Sequence, residues 1–325
     1  MFPSCEPTAT GMLPVGNGHE IYWEESGNPD GIPAIYLHGG PGSGAGNGYR
    51  RMFDPALYRI ISLDQRGCGR SRPLANKAGY DLAENTTPHL IADMEAVRRH
   101  LGVRRWLLSG ASWGSTLALA YAQAHPDKVR GIVLTAVTTT SAAEVEWITE
   151  TVGRVFPEAW DEFAGYAAAA DIGYMPGKGR LVDAYARLLS DPDPDVRGAA
   201  AVAWCRWEEV HIQIGAGANK QRDSRYDDPS FRQVFATLVT HYWSNLGFAP
   251  EGGLIGAMSK LAGIPGVLIH GRRDISGPVQ TAWDLHNAWR GSELIVIEDE
   301  GHGGERIAEA WAVATSRLAA HTSRG

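Results

Sequence analysis

Three residues far apart in the chain have the types and settings needed for covalent catalysis by an oxygen nucleophile. Ser112 sits in Gly110-Ala111-Ser112-Trp113-Gly114, at the end of an apolar run and just before small and apolar residues at helical spacing. A serine hydroxyl is a poor nucleophile near neutral pH and needs a base, which in turn needs an orienting carboxylate. Asp274 follows the apolar stretch ending at His270, and His302 follows the one ending near Ile297, in Glu300-Gly301-His302-Gly303-Gly304. Imidazole suits the base because its ordinary pKa lies near working pH. Gly-x-Ser-x-Gly after a strand describes a tight strand-to-helix turn that projects the serine. Gly110 and Gly114 are then needed because strand and helix approach too closely for a side chain.

An acyl-transfer site also needs donors for the developing oxyanion. The Trp113 amide, at the start of the helix, is one candidate. The other is Gly40 in His38-Gly39-Gly40-Pro41-Gly42-Ser43-Gly44, a glycine-rich loop after a short apolar strand. A phosphate-binding reading of this loop fails on spacing: Pro41 interrupts it and no Lys-Ser/Thr pair follows. His270, His286, Asp284 and Asp299 are rivals for the base and the carboxylate. His270 falls within a strand, and Asp284 and His286 fall in a helical stretch, which favours structural roles. Cys68 has no histidine nearby in sequence and is a weak rival to the serine.

The elements that must position these groups alternate. Strands are expected at Glu20–Glu25, Ile32–Leu37, Tyr58–Asp64, Trp106–Ser109, Val129–Thr135, Ile264–His270 and Glu293–Ile297. Helical periodicity covers Thr87–Leu101, with Ile91, Met94, Val97 and Leu101 on one face, and a closing helix covers Glu305–Ala320. Such alternation with short loops predicts a mostly parallel sheet with helices on both faces. From Ala136 to Leu246 it stops, and the chain becomes helical and rich in Ala, Trp and Glu. The expected organisation is a core in two parts, 1–135 and 247–325, with an inserted helical cap over 136–246.

Composition narrows the function. The 325 residues carry a net charge of −7 with Lys and Arg scattered, which argues against nucleic-acid or anionic-membrane partners. No apolar run is long enough to span a bilayer, and Met1–Thr10 lacks the features of a secretory leader. Cys5, Cys68 and Cys205 are widely spaced and odd in number, so free thiols in a reducing, cytoplasmic setting are expected. The eleven histidines show no metal-ligand spacing, and neither a metal nor a cofactor is expected.

Taken together, the chain resembles the proline iminopeptidases, α/β-hydrolases that remove N-terminal proline. The resemblance runs through His38–Gly42, Asp64-Gln65-Arg66-Gly67-Cys68-Gly69-Arg70-Ser71, Ala111–Tyr121, Trp204-Cys205-Arg206-Trp207-Glu208 and Gly271–Asp274, covering nearly the whole chain. It implies a triad of Ser112, Asp274 and His302, with Glu208 of the cap binding the substrate's free amino group. Trp204, Trp207 and Glu208 share a helix face, and a carboxylate among aromatics suits an ammonium, so all three are expected to bind substrate. Departures from the family pattern are also present. Val239 stands where a second amine-binding glutamate is usual, Thr135-Ala136-Val137-Thr138 where an arginine and an aromatic are usual, and Ser276 where a cysteine is usual.

The expectation is a serine hydrolase working through an acyl-enzyme on a small-molecule or short-peptide substrate, with N-terminal prolyl peptides or amides the leading class. The alternatives are an esterase, amidase or lactonase of the same fold, and a non-catalytic ligand-binding homologue. The sequence leaves open the true substrate, hydrolysis against acyl transfer, oligomeric state and cap motion.

Overall fold

The computed structural model describes residues 1–212, 214 and 223–322. The chain opens with two antiparallel strands, β1 (Ala9–Gly16) and β2 (His19–Gly27), and continues through β3 (Ile32–Leu37) and β4 (Tyr58–Leu63). Helix α1 (Thr87–His100), β5 (Trp106–Ala111), α2 (Trp113–Ala124) and β6 (Val129–Thr135) follow. Five helices come next: α3 (Ala142–Thr149), α4 (Pro157–Ala169), α5 (Leu181–Leu189), α6 (Pro194–Ile212) and α7 (Pro229–Ser244). A short α8 (Gly253–Gly256), β7 (Gly266–Gly271), α9 (Gln280–Ala288), β8 (Ser292–Ile297) and α10 (Glu305–Thr322) complete it. The eight strands form one sheet in the order β1-β2-β4-β3-β5-β6-β7-β8, parallel from β4 to β8, with β1 and β2 antiparallel.

Period-two alternation splits the strand residues between two apolar cores. Ile35, Ile61, Leu108, Ile132, Leu134 and Leu268 point to one face, where α1, α2 and α9 cover them. Ala34, Ile60, Leu107, Val133, Val267 and Ile269 point to the other, where Ile307, Trp311, Ala314 and Leu318 of α10 cover them. Both faces are therefore buried, which is why these strands read as continuous apolar runs. Chain direction across the sheet reverses at β3: β4 lies on one side of it and β5 on the other. The loops leaving β3 and β5 thus splay apart at neighbouring strand ends, and a crevice at that position is the usual ligand site of such sheets.

The stretch between β6 and β7 has its own apolar core. Phe163 stacks on Tyr185 and on Trp207, with ring centroids 4.4 and 5.2 Å apart, and Trp204 meets Phe163, Tyr185 and Trp243 edge-on. Strand β1 was not expected from sequence. It is an edge strand whose residues alternate between half-buried and exposed, with Pro14 tolerated there because an edge N–H needs no partner.

The turn after β5 is tight enough to be tested directly. A Cβ on Gly114 would fall well inside contact with the Leu37 carbonyl, and one on Gly110 inside contact with the Gly114 backbone. Backbone cannot step aside cheaply, so Gly114→Ala is expected to destabilise the fold by about 3 kcal/mol. Gly165 lies in α4 with nothing within 4 Å of an added Cβ. Gly165→Ala should instead stabilise by about 0.5–1 kcal/mol through helix propensity. Denaturant midpoints of the two variants beside the parent check the contrast.

Candidate active site

Ser112 occupies the turn between β5 and α2 with φ of +56° and ψ of −126°. A non-glycine residue in that region is strained, and the surroundings over-determine it. Its N–H donates to the Thr135 carbonyl at 3.0 Å, and its carbonyl accepts from the Ser115 N–H at 2.7 Å. The Ser115 hydroxyl lies 2.6 Å from the same carbonyl. Gly39 passes so close that an added Cβ would sit 3.2 Å from Ser112 Cβ. The loop after β3 is thereby laid against the serine.

Asp274 follows β7 and His302 follows β8, and the parallel pairing of these strands brings the two loops together. His302 Nδ1 lies 2.8 Å from Asp274 Oδ2. The other carboxylate oxygen accepts the backbone N–H groups of Ser276 and Gly277, each at 3.0 Å. Burial alone would raise the Asp274 pKa, but His302 and these donors outweigh it and hold the carboxyl below its ordinary value. Ser112 and His302 line one cavity of about 430 Å³, together with Gly40 and Trp113.

The rivals have other hydrogen-bond partners, although His270 Nε2 also lies 3.6 Å from Asp274 Oδ2. His270 is fully buried, accepts the Val137 N–H at Nδ1 (3.0 Å) and donates from Nε2 to the Gly277 carbonyl at 2.6 Å. Accepting an N–H at Nδ1 requires that nitrogen unprotonated, so it is a neutral structural histidine, and burial lowers its pKa in the same direction. His286 of α9 pairs with Ser292 at the start of β8, Asp284 accepts from Gln280, and Asp299 pairs with Arg306 on the exposed surface. The Cys68 thiol is buried, donates to the Gln65 carbonyl at 3.2 Å, and is pushed far above its ordinary pKa by burial. All three cysteines are free. Among the described residues no group of three or more His, Cys, Asp or Glu is placed to hold a metal ion, and no helix is long and apolar enough to cross a membrane.

Glu208 reaches the same cavity from α6 and is only 5 % exposed. Burial pushes its pKa up to about 7, against the opposing pull of His302 and of the Trp204 indole, which stops short of hydrogen-bond geometry. One turn on, His211 Nε2 lies 3.7 Å from Glu208 Oε2, while its Nδ1 lies 2.9 Å from Ser276 Oγ. Burial drives His211 down to about 3, so it stays neutral. Trp204 and Trp207 do not line the cavity. They sit behind Glu208 in the core between α4, α5, α6 and α7, with the Trp207 indole donating to the Ile148 carbonyl at 2.9 Å. A shared helix face told which residues lie together, but the aromatic part of that face turned inward.

Other cavity residues were not expected from sequence. Glu144 accepts from the Thr138, Thr139, Ser141 and Thr281 hydroxyls at 2.6–3.0 Å, and with Ser141 forms a capping box at the start of α3. Ser141-Ala142-Ala143-Glu144 carries that signature legibly. Arg225 bonds Asp223 through Nε and Nη2 and donates from Nη1 to the Ser43 carbonyl at 2.9 Å, tying the segment before α7 to the loop after β3. The positions that depart from the family pattern carry no second amine-binding group. Val239 is fully buried among apolar side chains, and Thr138 is turned to Glu144.

Comparison with known proteins speaks to the family and the fold. Residues 33–178 match the family model described as the alpha/beta hydrolase fold. A probable proline iminopeptidase of Streptomyces coelicolor is 47 % identical over 98 % of each chain. The proline iminopeptidase of Arabidopsis thaliana is 41 % identical over 93 % of this chain and 77 % of its own. The crystal structure of proline iminopeptidase from Mycobacterium smegmatis superposes with a TM-score of 0.59 over 96 % of this chain and 98 % of its own, at 18 % identity, which speaks to the fold. With an eight-stranded α/β sheet, a serine turn at its switch point and relatives of this similarity over nearly its full length, the chain belongs to the proline iminopeptidase family of α/β-hydrolases.

Proposed function

We propose that this enzyme releases N-terminal proline from short peptides and prolyl amides through an acyl-enzyme on Ser112. The observation that carries the reading is the shared cavity: Ser112 and His302 face it from the sheet, and the buried carboxylate of Glu208 faces it from α6. Ser112 Oγ attacks the prolyl carbonyl carbon while His302 Nε2 takes its proton, and Asp274 holds the imidazole with Nδ1 protonated. The Gly40 and Trp113 amides stabilise the oxyanion. The C–N bond breaks as His302 protonates the leaving amine, and water then cleaves the acyl ester by the reverse proton path. Residues 136–246 act as a cap that encloses the substrate, and Glu208 holds the secondary ammonium. Trp204 and Trp207 support Glu208 from behind, so their part in substrate binding is indirect.

Val239 in an apolar setting leaves Glu208 to hold the ammonium without the family's usual second glutamate, and this favours a second reading. In it the same machinery turns over a small ester, amide or lactone without an amino group. Turnover of prolyl-p-nitroanilide beside a short-chain p-nitrophenyl ester separates the two. Rapid release from the prolyl amide supports the first, and ester turnover with the prolyl amide untouched supports the second.

The raised pKa of Glu208 adds a pH signature. Below about 7 the carboxyl is protonated and offers no counter-charge, and above it the charge is present. KM for the prolyl amide is therefore expected to fall as pH rises through about 7, while KM for a neutral ester stays level. Initial rates across that range check both.

A further inference from the structure

The two amides assigned to the oxyanion hole come from different loops, Gly40 after β3 and Trp113 after β5, and a third loop joins them. Gln65 follows β4 and is 3 % exposed. Its side-chain Nε2 donates to the His38 carbonyl at 2.8 Å, and its Oε1 accepts the Trp113 indole N–H at 2.8 Å. An indole N–H can only donate and a carbonyl can only accept, so the amide has one possible orientation. The Gln65 backbone N–H also donates to His38 Nε2 at 3.0 Å. Nε2 is therefore the unprotonated nitrogen, and the Nδ1 proton goes to the Gly39 carbonyl, 2.9 Å away. Burial lowers the His38 pKa and keeps the ring in this neutral form.

The Gly39 carbonyl and the Gly40 N–H lie on opposite edges of one planar peptide. Fixing the carbonyl by His38 fixes the direction of the N–H. We propose that Gln65 is a positioning residue for the oxyanion hole, setting the mutual orientation of the Gly40 and Trp113 amides through His38 and the Trp113 indole. Gln65 does not touch the substrate and is absent from the cavity lining. The inference rests on acyl transfer at Ser112 and is indifferent to whether proline is the acyl group.

The test uses the full-length enzyme, a short-chain p-nitrophenyl ester and phenylboronic acid, whose adduct with a serine has a tetrahedral boron bearing an oxygen in place of the oxyanion. Gln65→Leu removes both side-chain hydrogen bonds, and Trp113→Phe removes the indole N–H while keeping the backbone amide. For Gln65→Leu, kcat is expected to fall about 10-fold or more with KM within about threefold, and the boronate inhibition constant to rise by a factor similar to the fall in kcat. Combining the two substitutions should cost less than the product of the single losses, since both remove one shared bond. A purely structural role would lower thermal stability and leave kcat and boronate affinity within about twofold of the parent, which would overturn the proposal. If Gln65→Leu does not fold, Trp113→Phe decides alone by the same two readouts. Ser112→Ala serves as the control: if it keeps ester turnover, the acyl-transfer reading itself fails, whatever Gln65 does.

Discussion

Asp274→Asn lowers kcat about 10⁴-fold with little change in KM, a loss comparable to that at the matching position of well-studied triads. The reason lies in which oxygen does what. Asp274 Oδ1 accepts two backbone N–H groups, from Ser276 and Gly277, and only Oδ2 faces His302. An asparagine keeps its carbonyl oxygen toward the two amides, because turning it would set an NH₂ against two donors. Its NH₂ then faces His302 Nδ1 and can bond it only if Nδ1 is unprotonated. The proton moves to Nε2, and the ring can no longer take the Ser112 proton. Ser112→Ala removes the nucleophile outright and is expected to cost about 10⁶-fold, and the double variant should be no worse than Ser112→Ala. Single-turnover kinetics on the prolyl amide, with circular dichroism to show retained fold, check all three.

Glu208→Gln has two expected effects of opposite sign. Without the carboxylate, the substrate ammonium loses a buried charge-assisted partner, and kcat/KM for a prolyl amide falls about 100-fold or more. Turnover of a short-chain ester should be nearly unchanged. Stability moves the other way. The Glu208 pKa is raised from 4.5 to about 7 in the folded protein, so folding binds a proton between those values. That stabilising contribution is complete below the unfolded pKa and is lost as pH rises through the folded one. Above about pH 7 the parent carries a buried carboxylate at a cost on the order of 1–3 kcal/mol. Glutamine never ionises, so the variant should be the more stable protein at alkaline pH and show no advantage below about pH 4.5. Denaturant titrations at two pH values, paired with rates on both substrates, check this. A binding carboxylate gives up stability for function, whereas a solvated helix glutamate would do neither.

Much of the core was legible because its signals are local. The apolar runs of β3, β4, β5 and β7 end in His, Asp or Gly at the strand's carboxyl end, and Ser112 carries glycines on both sides where backbone packs on backbone. Ser112, Asp274 and His302 could be proposed from order and setting alone. The region over α3 to α7 is different. Helical spacing places Trp204, Trp207 and Glu208 on one face but says nothing about how α6 rolls between its own core and the cavity. Packing decided that: the two indoles fill the space against Phe163 and Trp243, while Glu208, with Glu209 and Ile212, lines the cavity. His211 and Arg225 were missed for the same reason, since their partners Ser276 and Ser43 lie 65 and 182 residues away. Gln65 stood in a recognised stretch, yet its bonds to His38 and Trp113 depend on the β3–β4 pairing and the β3–β5 crossover.

The central claim is that Ser112 carries a prolyl group during turnover. Its most direct test is rapid acid quench of the enzyme during steady-state hydrolysis of a prolyl ester, followed by peptide mass analysis. The account predicts a mass increase of one prolyl acyl group on the peptide containing Ser112, absent in Ser112→Ala. An adduct on any other residue, or rapid turnover with no adduct at all, would contradict it.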